Sequence, residues 1–146
     1  MTIVLTILGL ALLILVHEFG HFITAKWFGM RVDEFGIGFP PRLLSKKIGE
    51  TLYSINVLPL GGFVRLYGEM GAPPEEERER SFIGAVWYKR AVVIIAGVTM
   101  NFLIGWLLVS AILFTGVPLR ILVAEVQQGS PAEQAGVKQG DIISAF

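Results

Sequence analysis

His17-Glu18-Phe19-Gly20-His21 sets two imidazoles and a carboxylate inside the largely apolar stretch Leu13–Trp27. Ionisable side chains at membrane depth are costly and mark functional sites. The pattern is H-E-x-x-H. On a helix, residues i and i+4 share a face, with Cβ atoms about 5–6 Å apart. Two imidazoles placed this way, His17 and His21, can both reach one Zn2+ at about 2.0–2.1 Å. Zinc lowers the pKa of its water to about 7 and so supplies a nucleophile at neutral pH. Glu18, next to the first ligand, is suited to take a proton from that water and return it to a leaving amine. Gly20 leaves room for a backbone or a substrate to approach the helix closely. The competing reading is polar contact between packed spanning helices. A lone histidine would favour it; three ionisable groups in this motif favour metal hydrolysis.

Zinc hydrolases of this type use a third protein ligand and keep a position for water. The chain has two histidines and no cysteine. Asp33 and Glu34 follow the apolar run and are expected outside its helix, and Asp141 is expected on the far side of the membrane. The third ligand is therefore expected beyond Phe146. Without it, the chain alone is expected to be inactive.

The elements that must hold this cluster are apolar. Hydrophobic residues make up 53% of the 146 residues and charged ones 16%; mean hydropathy is +0.66. Ile3–Ala25 is apolar apart from Thr6, Thr24, its glycines and the cluster, and Ala91–Val117 contains no ionisable residue. Each run can cross a hydrocarbon core of roughly 30 Å at about 1.5 Å per residue. His17 lies about 21 Å of helix beyond Ile3, nearer the end marked by Lys26. Water must reach this depth for hydrolysis, so the site needs a protein-lined cavity. A cleaved signal peptide fits poorly, because the start carries no positive charge and no small-residue cleavage site follows.

Net charge is zero, and nothing suggests nucleic-acid binding. Ten of the 12 Lys and Arg lie between Lys26 and Arg90; only Arg120 and Lys138 follow the second run. The positive-inside rule then puts the joining segment in the cytoplasm and both termini outside. Within that segment, Thr51–Val57 alternates as a strand, "PLGG" reads as a turn, and Phe63–Tyr67 reads as the returning strand. "GAPPEEERERS" reads as a solvated surface linker. After the second run, Ile121–Val126 is a strand candidate. Ser130, Pro131 and Glu133 read as an N-cap, Pro at N1 and a capping box, with Gly136 as the stop. "GVKQGDIISAF" reads as a turn and a second strand. These are too few elements to close a core, and the sequence is expected to be truncated.

Four segments together resemble the site-2 protease family of intramembrane zinc metalloproteases, especially its bacterial branch that contains the regulator of sigma-E protease. "VHEFGHFITAKWFGMRVDEFGIGFPP" resembles the first core span and its exit. "PLGGFVRLYGE" resembles the membrane-associated β-hairpin. "AGVTMNFLIG" resembles the second span, with Gly97 and Asn101 in a G-x-x-x-N pattern. "ILVAEVQQGSPAEQAGVKQGDII" resembles the first part of a PDZ domain. The resemblance implies a third ligand, an Asp in a later span, and substrates that are transmembrane proteins. It also implies that the PDZ-like part filters substrates by size or binds newly exposed ends, and the hairpin could offer a strand edge to unwound substrate, which would be β-augmentation. Candidate substrate-contacting residues are Asn101, Gly97, Gly61 and Gly62. Asn101 has an equal alternative as interhelical glue, worth about 0.6–2 kcal/mol, and Gly97 and Gly105 as close-packing residues.

The expected fold is an α-helical membrane protein with two transmembrane helices, a membrane-associated β-hairpin region and the start of an α+β PDZ-like domain. Residues 1–26 are the first transmembrane helix, 27–90 the cytoplasmic or re-entrant hairpin loop with its charged linker, 91–117 the second transmembrane helix and 118–146 the partial PDZ-like domain. The expected protein is a zinc endopeptidase of the cell (inner) membrane, in contact with lipid, with its site near the cytoplasmic side and the PDZ-like part extracytoplasmic. The alternative is a membrane-anchored PDZ-type peptide-binding module with a vestigial metal site. A metal-transporting helix pair leaves Glu18 and the tail unexplained.

Overall fold

A computed structural model describes residues 1–115 and 120–144. It divides into two compact units, Met1–Trp106 and Leu107–Phe146.

The first unit opens with α1, Thr2–Trp27. Its leucines, isoleucines and alanines are helix formers or packing residues, and its basic last-turn residue, Lys26, suits the negative end of the helix dipole. Gly29 ends it in the left-handed region at φ 74°, a conformation that other residues adopt at a cost. The Gly29 N–H donates to the Lys26 carbonyl, and the Met30 N–H to the Ala25 carbonyl.

Two long antiparallel strands follow, β1 (Val32–Ile48) and β2 (Thr51–Leu66). The tight turn between them is Gly49–Glu50. The chain reverses again within β2: Leu52–Ile55 run in the same sense as Glu34–Ile37 and Gly62–Arg65 in the opposite sense, so the turn expected at "PLGG" and the returning strand after it are there, inside the span of β2. Glycine in a strand can also mark a close backbone approach. A Cβ on Gly61 would meet Ile14 at 2.7 Å, and one on Gly62 would meet Leu15 at 2.9 Å. The pair lets β2 lie flat on α1.

The register shows a ribbon folded on itself. Glu34–Ile37 pair with Arg65–Gly62 on one side and with Leu52–Ile55 on the other, while Arg42–Ile48 pair with Asn56–Thr51. Regular pairing lapses between Phe39 and Arg42, where Pro40 and Pro41 have no N–H to donate. Glu34, only 3% exposed, ties the layers. Its carboxylate accepts from Ser54 Oγ at 2.7 Å and Arg42 Nη2 at 2.7 Å, with Arg65 Nη1 at 3.5 Å.

The linker contains a 3-10 helix, Glu75–Arg80, rather than plain loop. It is fastened by ion pairs of Arg31 with Glu77 (3.1 Å) and of Arg80 with Glu50 (2.6 Å). Phe82 N–H donates to the Tyr67 carbonyl. Then comes α2, Trp87–Thr115, which begins four residues before the expected span. Residues 116 and 117 of that expectation lie outside the described residues. Ala25, Met30, Val32, Leu66 and Val93 form the buried core, with Phe22, Phe28 and Phe82 packed on it. Both α1 and α2 are long and apolar enough to cross a membrane, with a mean hydropathy of 2.3.

In the second unit, α2 ends and β3 (Arg120–Leu122) pairs antiparallel with β4 (Ile142–Ser144). The strand expected over Ile121–Val126 is thus shorter and starts one residue earlier. Between β3 and β4, α3 (Pro131–Gln134) has Ser130 as its N-cap, whose hydroxyl accepts from the Glu133 N–H at 3.3 Å. The Glu133 carboxylate in turn accepts from the Gly129 N–H. Gly136 follows at φ 82°, as the stop signal implies.

Candidate functional site

One helical turn of α1 carries His17, Glu18 and His21, all within the first unit. The two imidazoles meet edge to face, with ring centroids 4.7 Å apart. His21 Nδ1 lies 2.7 Å from the Val93 carbonyl. A carbonyl only accepts, so this nitrogen donates its N–H and the ring is fixed with Nε2 turned away from that carbonyl. Histidines that ligate metals are commonly oriented in this way. The orienting carbonyl is held firmly, because Val93 is itself in the core and 1% exposed.

Glycine decides how close the two helices come. A Cβ on Gly97 would stand 2.5 Å from His21 Nε2 and 2.7 Å from His17 Cε1. A Cβ on Gly20 would stand 2.6 Å from the Ala96 carbonyl oxygen. Gly97 therefore presses its backbone against both imidazoles. Val93, Gly97 and Asn101 are spaced i, i+4, i+8 and form one stripe of α2. The amide oxygen of Asn101 is buried and has no hydrogen-bond partner among the described residues. Gly61 and Gly62 are buried against α1, one turn before His17.

Glu18 turns to the other wall. Its Oε2 accepts from the Val64 N–H at 3.1 Å. In the paired register, residues 62–65 bond only to the 34–37 segment, so Gly62–Arg65 is the outer segment of the ribbon. The Val64 N–H points from it to the glutamate. Glu18 and His21 share a cavity of about 360 Å3 with Phe63, Val64, Phe82, Val93 and Ile94. On another flank of α1, Phe19 and Phe22 pack with Phe35 and Tyr53 in an aromatic cluster that fixes the helix on the ribbon.

The donor set fits zinc as far as it extends: two imidazoles on one helical turn, with one ring already oriented. Among the described residues, no group of three or more His, Asp or Glu could hold a metal ion. Asp33 is engaged by Arg31 Nε at 3.0 Å and Glu34 by Arg42 and Ser54.

The motif residues were legible in the sequence. The Val93 carbonyl and the Val64 N–H were not, because backbone groups leave no mark on residue type. The signal for the Val93 carbonyl was the α2 stripe Val93–Gly97–Asn101, where the small residue marks a contact; the Val64 N–H, on β2, had none.

The sequence model of Peptidase family M50 matches residues 5–141. The chain belongs to this family, the site-2 protease family. A relative from Thermotoga maritima that carries a zinc-metalloprotease name is 44% identical over 146 residues, covering 98% of this chain and 29% of its own. Relatives from Clostridium perfringens (39% identical, 97% of this chain, 41% of theirs) and Vibrio cholerae (36%, 95% and 31%) carry names of the same kind. This M50 chain thus spans less than half the length of the relatives it matches. Its two apolar helices and its family identify a membrane protein.

Proposed function

We propose that the protein containing this M50 chain is an intramembrane zinc endopeptidase that cuts transmembrane segments of membrane-protein substrates. The observation that carries this reading is the oriented His21 beside His17, with Glu18 facing an outer strand segment. His17 and His21 would hold Zn2+, which, when bound, polarises the scissile carbonyl and activates water. Glu18 takes a proton from the attacking water and delivers it to the leaving amine nitrogen, so each hydrolysed bond yields one carboxyl and one amine. The third ligand comes from outside the described residues and is an aspartate of a later span.

The Gly62–Arg65 segment receives the unwound substrate as an added strand. A spanning helix offers no free backbone groups until it unwinds, and an added strand satisfies them. Asn101, with its unsatisfied buried oxygen, serves a donor from substrate or from a neighbouring helix. Gly97, Gly61 and Gly62 act by close packing. The charge bias of the joining segment supports a site near the cytoplasmic side of the cell membrane. The second unit supplies the start of an extracytoplasmic PDZ-like, peptide-binding part.

The test uses the full-length protein in detergent or nanodiscs with a spanning substrate. Glu18→Gln is expected to retain zinc and to lose cleavage by at least about 100-fold, within the usual range for a general base. His17→Ala is expected to lose both. Cleavage retained in Glu18→Gln overturns the mechanism and leaves the non-enzymatic alternative, a membrane-anchored peptide-binding module with a vestigial metal site.

A further inference from the structure

The cavity shared by Glu18 and His21 has a composition the hydrolytic chemistry does not require. Water activation needs the polar atoms of α1. It does not need an apolar chamber of about 360 Å3, a volume within the range of ligand sites, roughly 300–1,000 Å3. The walls come from three separate elements: Phe63 and Val64 from β2, Phe82 from the end of the linker, and Val93 and Ile94 from α2. All are apolar. The exception away from α1 is Glu69, which is exposed and lines the same cavity.

We infer that this cavity is the subsite for the substrate side chain next to the scissile bond, and that it selects a large apolar residue and disfavours an acidic one. The inference rests on the proposed protease reading. A strand laid along Gly62–Arg65 alternates its side chains between two sides. One of those sides carries Phe63 or Val64, both of which line the cavity. With the scissile carbonyl near His21 and Glu18, the neighbouring side chain enters the chamber that these same residues wall. Phe82 sets its size from the linker side. Glu69, the carboxylate at the exposed part of the lining, repels an acidic side chain and favours a basic one that reaches past the apolar walls.

The experiment is a substrate series in which the residue on each side of the mapped cut is varied through Gly, Ala, Leu, Phe, Trp, Lys and Asp. Full-length protein and its Phe82→Ala, Phe82→Trp and Glu69→Lys variants are compared, with zinc content checking that each is folded. The expected wild-type order at one flanking position puts Leu and Phe above Gly, and Asp last. Phe82→Ala should shift the optimum toward Trp and Phe82→Trp toward Ala, by about tenfold in relative kcat/KM, as pocket volume changes of this kind do. Glu69→Lys should raise Asp relative to Lys while leaving the Leu-to-Gly ratio in place. Cleavage with the same residue preferences in all four proteins overturns the subsite while leaving the protease reading intact. Zinc-loaded wild type that cleaves no substrate overturns the protease reading and the subsite with it.

Discussion

The two walls around His17 and His21 are held by different forces. On the α2 side the contact is steric. Gly97 and Gly20 bring helix backbones almost onto the neighbouring helix, and one hydrogen bond, from His21 to the Val93 carbonyl, locks the ring. On the ribbon side, close packing of Gly61 and Gly62 on α1 and the cluster of Phe19, Phe22, Phe35 and Tyr53 are joined by ion pairs: Glu34 with Arg42 and Arg65, Lys26 with Glu50 at 3.1 Å, Arg80 with Glu50, and Arg31 with Asp33 and Glu77. A steric contact has a steep energy and does not respond to salt. The pairs without the buried Glu34 are exposed ones, weak at roughly 0–1 kcal/mol each, and screened. The α2 wall is thereby insensitive to salt, while the ribbon wall carries a salt-sensitive part at its exposed pairs.

This contrast is broken most severely at Gly97. Gly97→Ala sets a methyl on both imidazoles and is expected to lower zinc affinity by about 10–100-fold, as for other groups that orient ligands. Competition with a fluorescent chelator measures it. Gly105→Ala is the matched control, because a Cβ there meets nothing within 4 Å; it should bind zinc like wild type. If both variants behave alike, the steric account of the α2 wall is wrong.

The next effect is at Glu34, the one buried carboxylate in the ribbon's network of ties. Glu34→Ala leaves the Ser54 hydroxyl, 2% exposed, without its acceptor, a loss of roughly 1–3 kcal/mol. Thermal unfolding should fall, and limited proteolysis near Gly49–Glu50 should accelerate, with zinc affinity held. Arg65→Ala should cost much less, since Arg65 is exposed and Glu34 keeps Arg42.

The smallest effect concerns Glu50. The Arg80 guanidinium beside it, followed by Lys26, holds its carboxyl below the ordinary 4.5. A depressed folded-state value means that the stabilisation is complete above pH 4.5 and fades as pH falls through the lower folded value. Cleavage of the linker by an acid-tolerant protease should therefore quicken below that pH. Glu50→Gln should remove this pH dependence, and high salt should mimic it in the wild type. An unchanged linker under all three conditions would show that the backbone bonds around Arg31 and Phe82 alone hold it.

The glycines carry local and distant information together. Gly97 was legible as a contact because it shares a helical stripe with Asn101. "PLGG" is legible as a turn, and the chain does reverse between Ile55 and Gly62; what local sequence leaves out is that Gly61 and Gly62 also answer to Ile14 and Leu15, about 47 residues away in the chain. The linker was read as plain loop, and its ties to Arg31 and Glu50 arise from pairings that local charge runs do not reveal.

Sequence alone determined what depends on local spacing: two apolar helices from run length, a shared face for His17 and His21 from the i, i+4 rule, and the Ser130 cap from its neighbours. Tertiary structure decided what depends on segments distant in the chain. It chose Val93 to orient His21, turned the Val64 N–H onto Glu18, engaged Asp33 and Glu34 with arginines, and opened the chamber beside the glutamate. The physical reason is that backbone carbonyls, backbone amides and empty space carry no side-chain signature, and only packing brings them to the site.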